Sequence, residues 1–306
     1  MTAATAPLGH RPSRRSLADR AGRFLSRNLL FVYTGFAVLY LMLPVAIMAL
    51  FSFNSPVGKS NVVWQGFTLR YWLDPFGVPG LEDAVITSLQ IAFLSMFVAT
   101  ILGTLIALAL VRYRFRGSST TNILIFLPIA TPEIVLGASL LTLFVAIGLQ
   151  RDFLTILIAH IMFNISYVVV TVRARLQGFD RRLEEAAMDL GANELVTFWK
   201  VTFPLILPGV VAAALLAFSL SIDDFVITNF TAGHTLTFPM YIYGANRIGV
   251  PVQVNVIGTM IFLVAVGFVA LTTWLQSRAN RPPRADKPLR QSMPEADPVL
   301  AAGSEA

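Results

Sequence analysis

The chain has 306 residues, 56% of them apolar and only 13% charged, with a mean hydropathy of +0.70, whereas soluble domains sit near 45–50% apolar and about 25% charged. It belongs in a membrane, and its net charge of +6 has to be read through where the charges fall, not as a nucleic-acid surface. The absence of cysteine excludes a disulfide framework, a thiolate metal site and a cysteine nucleophile, and the three histidines (His10, His160, His234) are too scattered to hold zinc unaided.

A bilayer core of about 30 Å needs roughly 20 apolar helical residues, because hydrocarbon offers no partner to an unpaired backbone group. Six stretches meet that need and predict an all-α, polytopic protein with six transmembrane helices: Leu29–Phe53, Ala84–Val111, Ile123–Leu149, Phe153–Val172, Leu205–Ile222 and Val254–Leu275. Basic residues precede the first as they do in a signal peptide, but its apolar run exceeds the about 7–15 residues of such a region, so it reads as a retained helix. Residues 1–28, rich in Arg, Ser and Ala, and residues 279–306, with five prolines, read as disordered tails flanking one membrane domain over 29–278. The segments before span 1, between spans 2 and 3, between spans 4 and 5 and after span 6 hold 19 of the 23 Lys and Arg. Both termini are therefore predicted to be cytoplasmic.

No phosphate loop is present. Gly58-Lys59-Ser60 ends like one, but its first glycine would fall at Phe53. No Ser/His/Asp or HExxH set occurs either, so the chain is expected to be non-catalytic, without cofactor or metal of its own, and any motor must be another chain.

The long polar loop 173–204 between spans 4 and 5 reads as two short helices. Asp180 can cap the first, Leu183, Ala186, Ala187 and Leu190 make one apolar stripe, and Gly191 stops it. Asn193 can cap the second, whose run to Val201 is expected to end at Pro204. Such a pair suits either docking on a partner protein or floating among lipid headgroups.

Glu185-Ala186-Ala187, then Gly191, then Val201-Thr202-Phe203-Pro204 resembles the EAA signature of bacterial ABC-transporter permeases, the MetI-like group. In that family the loop is a coupling helix seated in a groove of the cytoplasmic ATPase, and the motif lies between spans 4 and 5 of a type I importer permease fold. A narrower resemblance, over about residues 30–275, is to spermidine/putrescine permeases of the PotC type. It is carried by Trp64-Gln65-Gly66-Phe67-Thr68, Arg112-Tyr113-Arg114-Phe115-Arg116-Gly117 and Leu220-Ser221-Ile222-Asp223-Asp224; the long basic N-terminal tail departs from it. The resemblance implies a multi-pass inner-membrane chain working with an ABC ATPase dimer that binds ATP and Mg, a homologous second permease, and an extracytoplasmic polyamine-binding protein. Coupling residues would be Glu185, Ala186, Ala187, Gly191 and Pro204.

Charges inside spans mark functional positions by default. Glu133 lies near the middle of span 3, flanked by Pro128 and Pro132, and Asn164 and Tyr167 sit at comparable depth in span 4. Asp223 and Asp224 close span 5 on its outer side, where adjacent like charges call for a cation. These five are the candidate substrate path, with Glu133 alternatively tying two helices together and His160 packing helices. Trp64–Trp72 is expected at the outer interface, as an anchor or beside the binding protein. The alternatives to polyamine import are an ABC permease for another solute, since the EAA loop reports the motor and not the cargo, and an ion-coupled transporter using Glu133 as proton site.

Overall fold

In the computed structural model, residues 17–113, 115–178 and 180–279 are described, so the expected tails lie outside the described residues over 1–16 and 280–306, as does Arg114. Contacts divide the chain into two compact units that meet between Thr259 and Met260. The first carries all the features discussed below, and the second continues the last helix as far as Ala279.

Among the described residues twelve helices follow one another. They are α1 (Leu17–Phe51), α2 (Arg70–Leu73), α3 (Leu81–Arg112), α4 (Ser118–Ala130), α5 (Glu133–Ala146), α6 (Phe153–Gln177), α7 (Arg182–Asp189), α8 (Glu194–Thr197), α9 (Phe203–Asp223), α10 (Val226–Thr231), α11 (Phe238–Ile248) and α12 (Val252–Ala279), with one π-helical turn, Phe198–Thr202, between α8 and α9. Among the described residues the only extended pairing is an isolated bridge between Asn54 and Phe67. Among the described residues five helical stretches are long and apolar enough to cross a bilayer, and α4 with α5 makes a sixth crossing only as a bent pair.

That bend corrects the expectation of a continuous span over Ile123–Leu149: the axes of α4 and α5 differ by 110°. Thr131 (φ −84°, ψ 132°) and Pro132 (φ −56°, ψ 133°) are both extended, because proline crowds the residue before it out of the helical region and brings no N–H of its own. Two further expectations are corrected. Helix α1 begins at Leu17, inside the stretch expected to be a tail. Pro204 does not end the second loop helix, since α9 runs on through it. Phe203 N–H reaches five residues back to Phe198 O, and this switch to π pairing just ahead of Pro204 absorbs the missing donor.

The centre of the bundle is α3 against α6 and α9. Ser95, Ala99, Gly103 and Ala107 recur every fourth residue on α3 and are all buried. They let the backbones approach, which is how helices associate when lipid removes the hydrophobic incentive. A Cβ on Gly103 would stand 2.6 Å from Val168 Cγ1. Val168, Val169 and Val172 from α6, and Ile206, Ala213 and Ala217 from α9, complete this core. By contrast no residue of Leu29–Phe51 is buried in the chain.

After α1 the chain folds back on the end of that helix. Phe67 and Trp72 both stack on Phe53, with ring centroids 5.6 and 5.1 Å away, and Trp72 Nε1 donates to Ser52 Oγ at 3.2 Å. Asn54, fully buried, ties the segment together by donating to Asn61 Oδ1 and Val63 O, both at 2.7 Å. The expected interfacial segment Trp64–Trp72 thus keeps Phe67 largely exposed while Trp72 is held in the stack.

Candidate coupling loop and membrane carboxylates

The loop between α6 and α9 is built by its caps. Asp180 Oδ1 accepts from Arg182 N at 3.0 Å, and Asn193 Oδ1 accepts from Val196 N at 2.8 Å, so both expected capping residues serve a helix start. Gly191 has φ +89°, with Ala192 N donating to Ala187 O and Gly191 N to Met188 O. That pair of bonds is the Schellman closure, which needs a left-handed residue that glycine adopts without strain. Glu185 and Ala186 are exposed and Ala187 half-buried. Around them Leu190 is 90%, Leu195 71% and Trp199 56% exposed, an apolar face turned away from this chain's own bundle.

The sequence reading passed over Glu184, the residue before the motif. Its carboxylate pairs with the Arg112 guanidinium at the end of α3 and accepts from Thr202 Oγ1 in the π turn. Arg181 Nη2 adds a bond to Val111 O at 2.9 Å. Two neighbouring glutamates therefore divide the work: Glu184 faces inward and clamps the loop to α3, and Glu185 faces out. The only signal for this in the sequence is an acidic doublet on an amphipathic helix.

Inside the bundle, the structure places the candidate path residues in two groups. Glu133 opens α5 at the first break and is exposed. Asp223 ends α9 at a second break, is also exposed, and lies within electrostatic reach of Glu133. Asp224, expected beside Asp223 at the outer end of span 5, instead turns inward with its side chain 8% exposed. Its Oδ2 accepts from Thr228 N and Thr228 Oγ1, both at 2.8 Å, and lies 3.3 Å from His160 Nε2. His160 is eight residues past Asp152, the cap of α6, so this level is about 12 Å along that helix and the span continues beyond it as α10. Asn164 is fully buried and donates to Ser95 Oγ at 3.3 Å, while Tyr167 packs against Phe163 at 4.9 Å. Glu133 and Asp223 thus lie within electrostatic reach of each other, whereas Asn164 and Asp224 join a separate polar cluster with His160. A cavity of about 560 Å³ lies elsewhere, between the segment around Lys59 and α11, and no carboxylate lines it. Among the described residues no group of three His, Cys, Asp or Glu is placed to hold a metal ion.

Residues 99–281 match the family described as "Binding-protein-dependent transport system inner membrane component". The chain is 38% identical over 259 residues to the spermidine/putrescine transport system permease protein PotC of Haemophilus influenzae, covering 84% of this chain and 99% of that one. It is 40% identical over 263 residues to the putrescine transport system permease protein PotI of Escherichia coli strain K12, covering 83% and 92%. Its fold matches a chain of a bacterial ABC transporter that imports the acidic polysaccharide alginate, with TM-score 0.61 at 14% identity over 86% of this chain and 100% of the other. The chain belongs to the binding-protein-dependent transport system inner-membrane components, as a multi-pass permease subunit of an ABC importer.

Proposed function

We propose that this permease carries polyamines, with Glu133 and Asp223 forming a cation site on the face it turns to a second, homologous permease. The observation that carries the reading is that pair: two exposed carboxylates within electrostatic reach of each other at two helix breaks. Helices α5, α9 and α10 contain no lysine or arginine to neutralise them, and a carboxylate in a low-dielectric path requires a partner. A polyamine supplies two or more ammonium groups on an apolar stem. The PotC and PotI relatives, named for spermidine and putrescine, support the same class.

Orientation and partners follow from the same argument. The end bearing the EAA loop and most of the basic residues lies in the cytoplasm, where the exposed face around Leu190, Leu195 and Trp199 docks on an ABC ATPase dimer that holds ATP and Mg. A binding protein delivers the polyamine on the opposite side. The unburied span of α1 packs on the second permease or on lipid. Uptake of labelled putrescine and spermidine by the assembled transporter tests the cation site. An ammonium–carboxylate bond in a secluded path contributes about 1.5–3 kcal/mol, so Glu133→Gln and Asp223→Asn should each raise the half-saturating concentration roughly 10- to 150-fold. Unaltered uptake of both amines in both variants refutes the site; loss of transport for a different solute, with polyamines never carried, refutes the substrate class.

A further inference from the structure

A buried run of hydrogen bonds crosses four helices at the level of the second break. Asn164 Nδ2 on α6 donates to Ser95 Oγ on α3 at 3.3 Å, and Ser95 Oγ donates to Ser221 Oγ on α9 at 3.0 Å. Ser221 Oγ lies 2.6 Å from His160 Nδ1, and the other ring nitrogen, Nε2, lies 3.0 Å from Thr228 Oγ1 and 3.3 Å from Asp224 Oδ2. One proton assignment satisfies every link: Ser221 donates to Nδ1, and Nε2–H is shared between Thr228 and Asp224. Every donor then points along the run toward the Asp224 carboxylate.

We propose that His160 and Asp224 form a latch that holds the break between α9 and α10 against α6, and so presents Asp223 beside Glu133. The proposal rests on the cation-site reading above. Asp224 is extended (φ −64°, ψ 121°), so its side chain and that of Asp223 diverge, and fixing the first inward sets the second outward. Helix α10 has six residues, too few to hold a position by helix propagation alone. What anchors its start is the Asp224 carboxylate, which accepts from the 227 and 228 N–H groups. That carboxylate is in turn held by His160, whose side chain is 4% exposed. His160 is therefore a positioning residue that never meets the substrate. The titratable groups around Asp224 are His160 from α6, Asp223 beside it on α9 and, beyond Asp223, Glu133 of α5; α3 and α10 bring only the hydroxyls of Ser95 and Thr228.

The absence of cysteine from the chain gives a clean background for the test. In membranes holding the whole transporter, a bifunctional thiol reagent should join Glu133→Cys to Asp223→Cys. Adding His160→Leu removes the ring's bonds to Ser221, Thr228 and Asp224, and the loss of even one of them should slow the cross-link at least about fivefold. His160→Gln keeps an amide donor near the Nε2 position and should recover most of the rate. If the Leu variant is absent from the membrane, Asp224→Asn, which keeps size and loses charge, takes its place with the same expected slowing. Cross-linking unchanged in these variants overturns the latch, as does an equal loss for Leu and Gln. Uptake of putrescine and spermidine by His160→Leu, in a chain keeping both carboxylates, separates the two readings. A slowed cross-link with an unaltered half-saturating concentration keeps the latch and removes Glu133–Asp223 as the cation site; a slowed cross-link with a raised concentration supports both.

Discussion

Gly191 offers the sharpest test of how the proposed coupling loop is built, because its two possible reasons for being glycine make opposite predictions. Its φ of +89° lies where L-residues pay for the contact of Cβ with the backbone, about 1–2 kcal/mol for an ordinary side chain, whereas asparagine visits this region routinely. A Cβ built at 191 meets no atom within 4 Å, so size does not enter. The order of tolerance should therefore be Gly, then Asn, then Ala, then Val, with the larger Asn outperforming the smaller Ala. A loss of about 1–2 kcal/mol in the docking-competent loop corresponds to roughly 5- to 30-fold weaker ATPase association. Titrating the partner ATPase onto the purified permease complex, with polyamine uptake alongside, reads the series. If Gly191→Val associates as tightly as the parent, or if Gly191→Asn is worse than Gly191→Ala, then the left-handed closure is not what the loop requires.

Two further perturbations address the frame. Arg112→Glu and Glu184→Arg should each uncouple ATP hydrolysis from uptake, since an unpaired half-buried charge costs about 1–3 kcal/mol; the double exchange should regain part of the coupling, and failure to do so would remove the clamp as the cause. Gly103→Val drives a side chain into Val168, 2.6 Å from the position of the first added carbon, an overpacking worth about 1–3 kcal/mol, and should lower the thermal stability of the detergent-purified protein without requiring any ligand.

What the sequence makes legible follows from the range of each interaction. The five long crossings are visible because hydrocarbon forces every segment to satisfy itself, which writes about 20 apolar residues in a row. The coupling loop is visible because its caps act over two to five residues: Asp180, Gly191 and Asn193 all stand where their types predict. The pairings that position Asp224 and that clamp the loop act over far longer separations. His160 and Ser221 are 61 residues apart, and Arg112 and Glu184 are 72; no periodicity links them. A histidine ring donates as lysine and arginine do, but a lone His160 in an apolar span carries no sign that it meets Asp224. Pro132 did mark a weak point in span 3, but hydropathy is blind to direction, so a 110° bend and a straight helix have the same signature.

The two breaks also set Glu133 and Asp223 apart in a way that neither position in the chain discloses. Glu133 is the first residue of α5, where the free N–H groups and the positive end of the helix dipole favour a carboxylate. Asp223 is the last residue of α9, where the unpaired carbonyls and the negative end oppose one. In the proposed cation site an ammonium would meet the Glu133 carboxylate at the start of one helix and, at the end of the other, Asp223 together with the last carbonyls of α9. Asp223→Asn should accordingly raise the thermal stability of the transporter without polyamine, by removing a charge from an unfavourable helix end, while Glu133→Gln should lower it or leave it unchanged. With saturating spermidine the parent should gain stability and Asp223→Asn should gain less, because ligand stabilisation grows with occupancy over the dissociation constant. Thermal unfolding of the purified complex with and without spermidine measures both differences. An Asp223→Asn protein that is less stable than the parent when empty would mean that Asp223 already has a protein partner, and the cation site would have to be rebuilt around Glu133 alone.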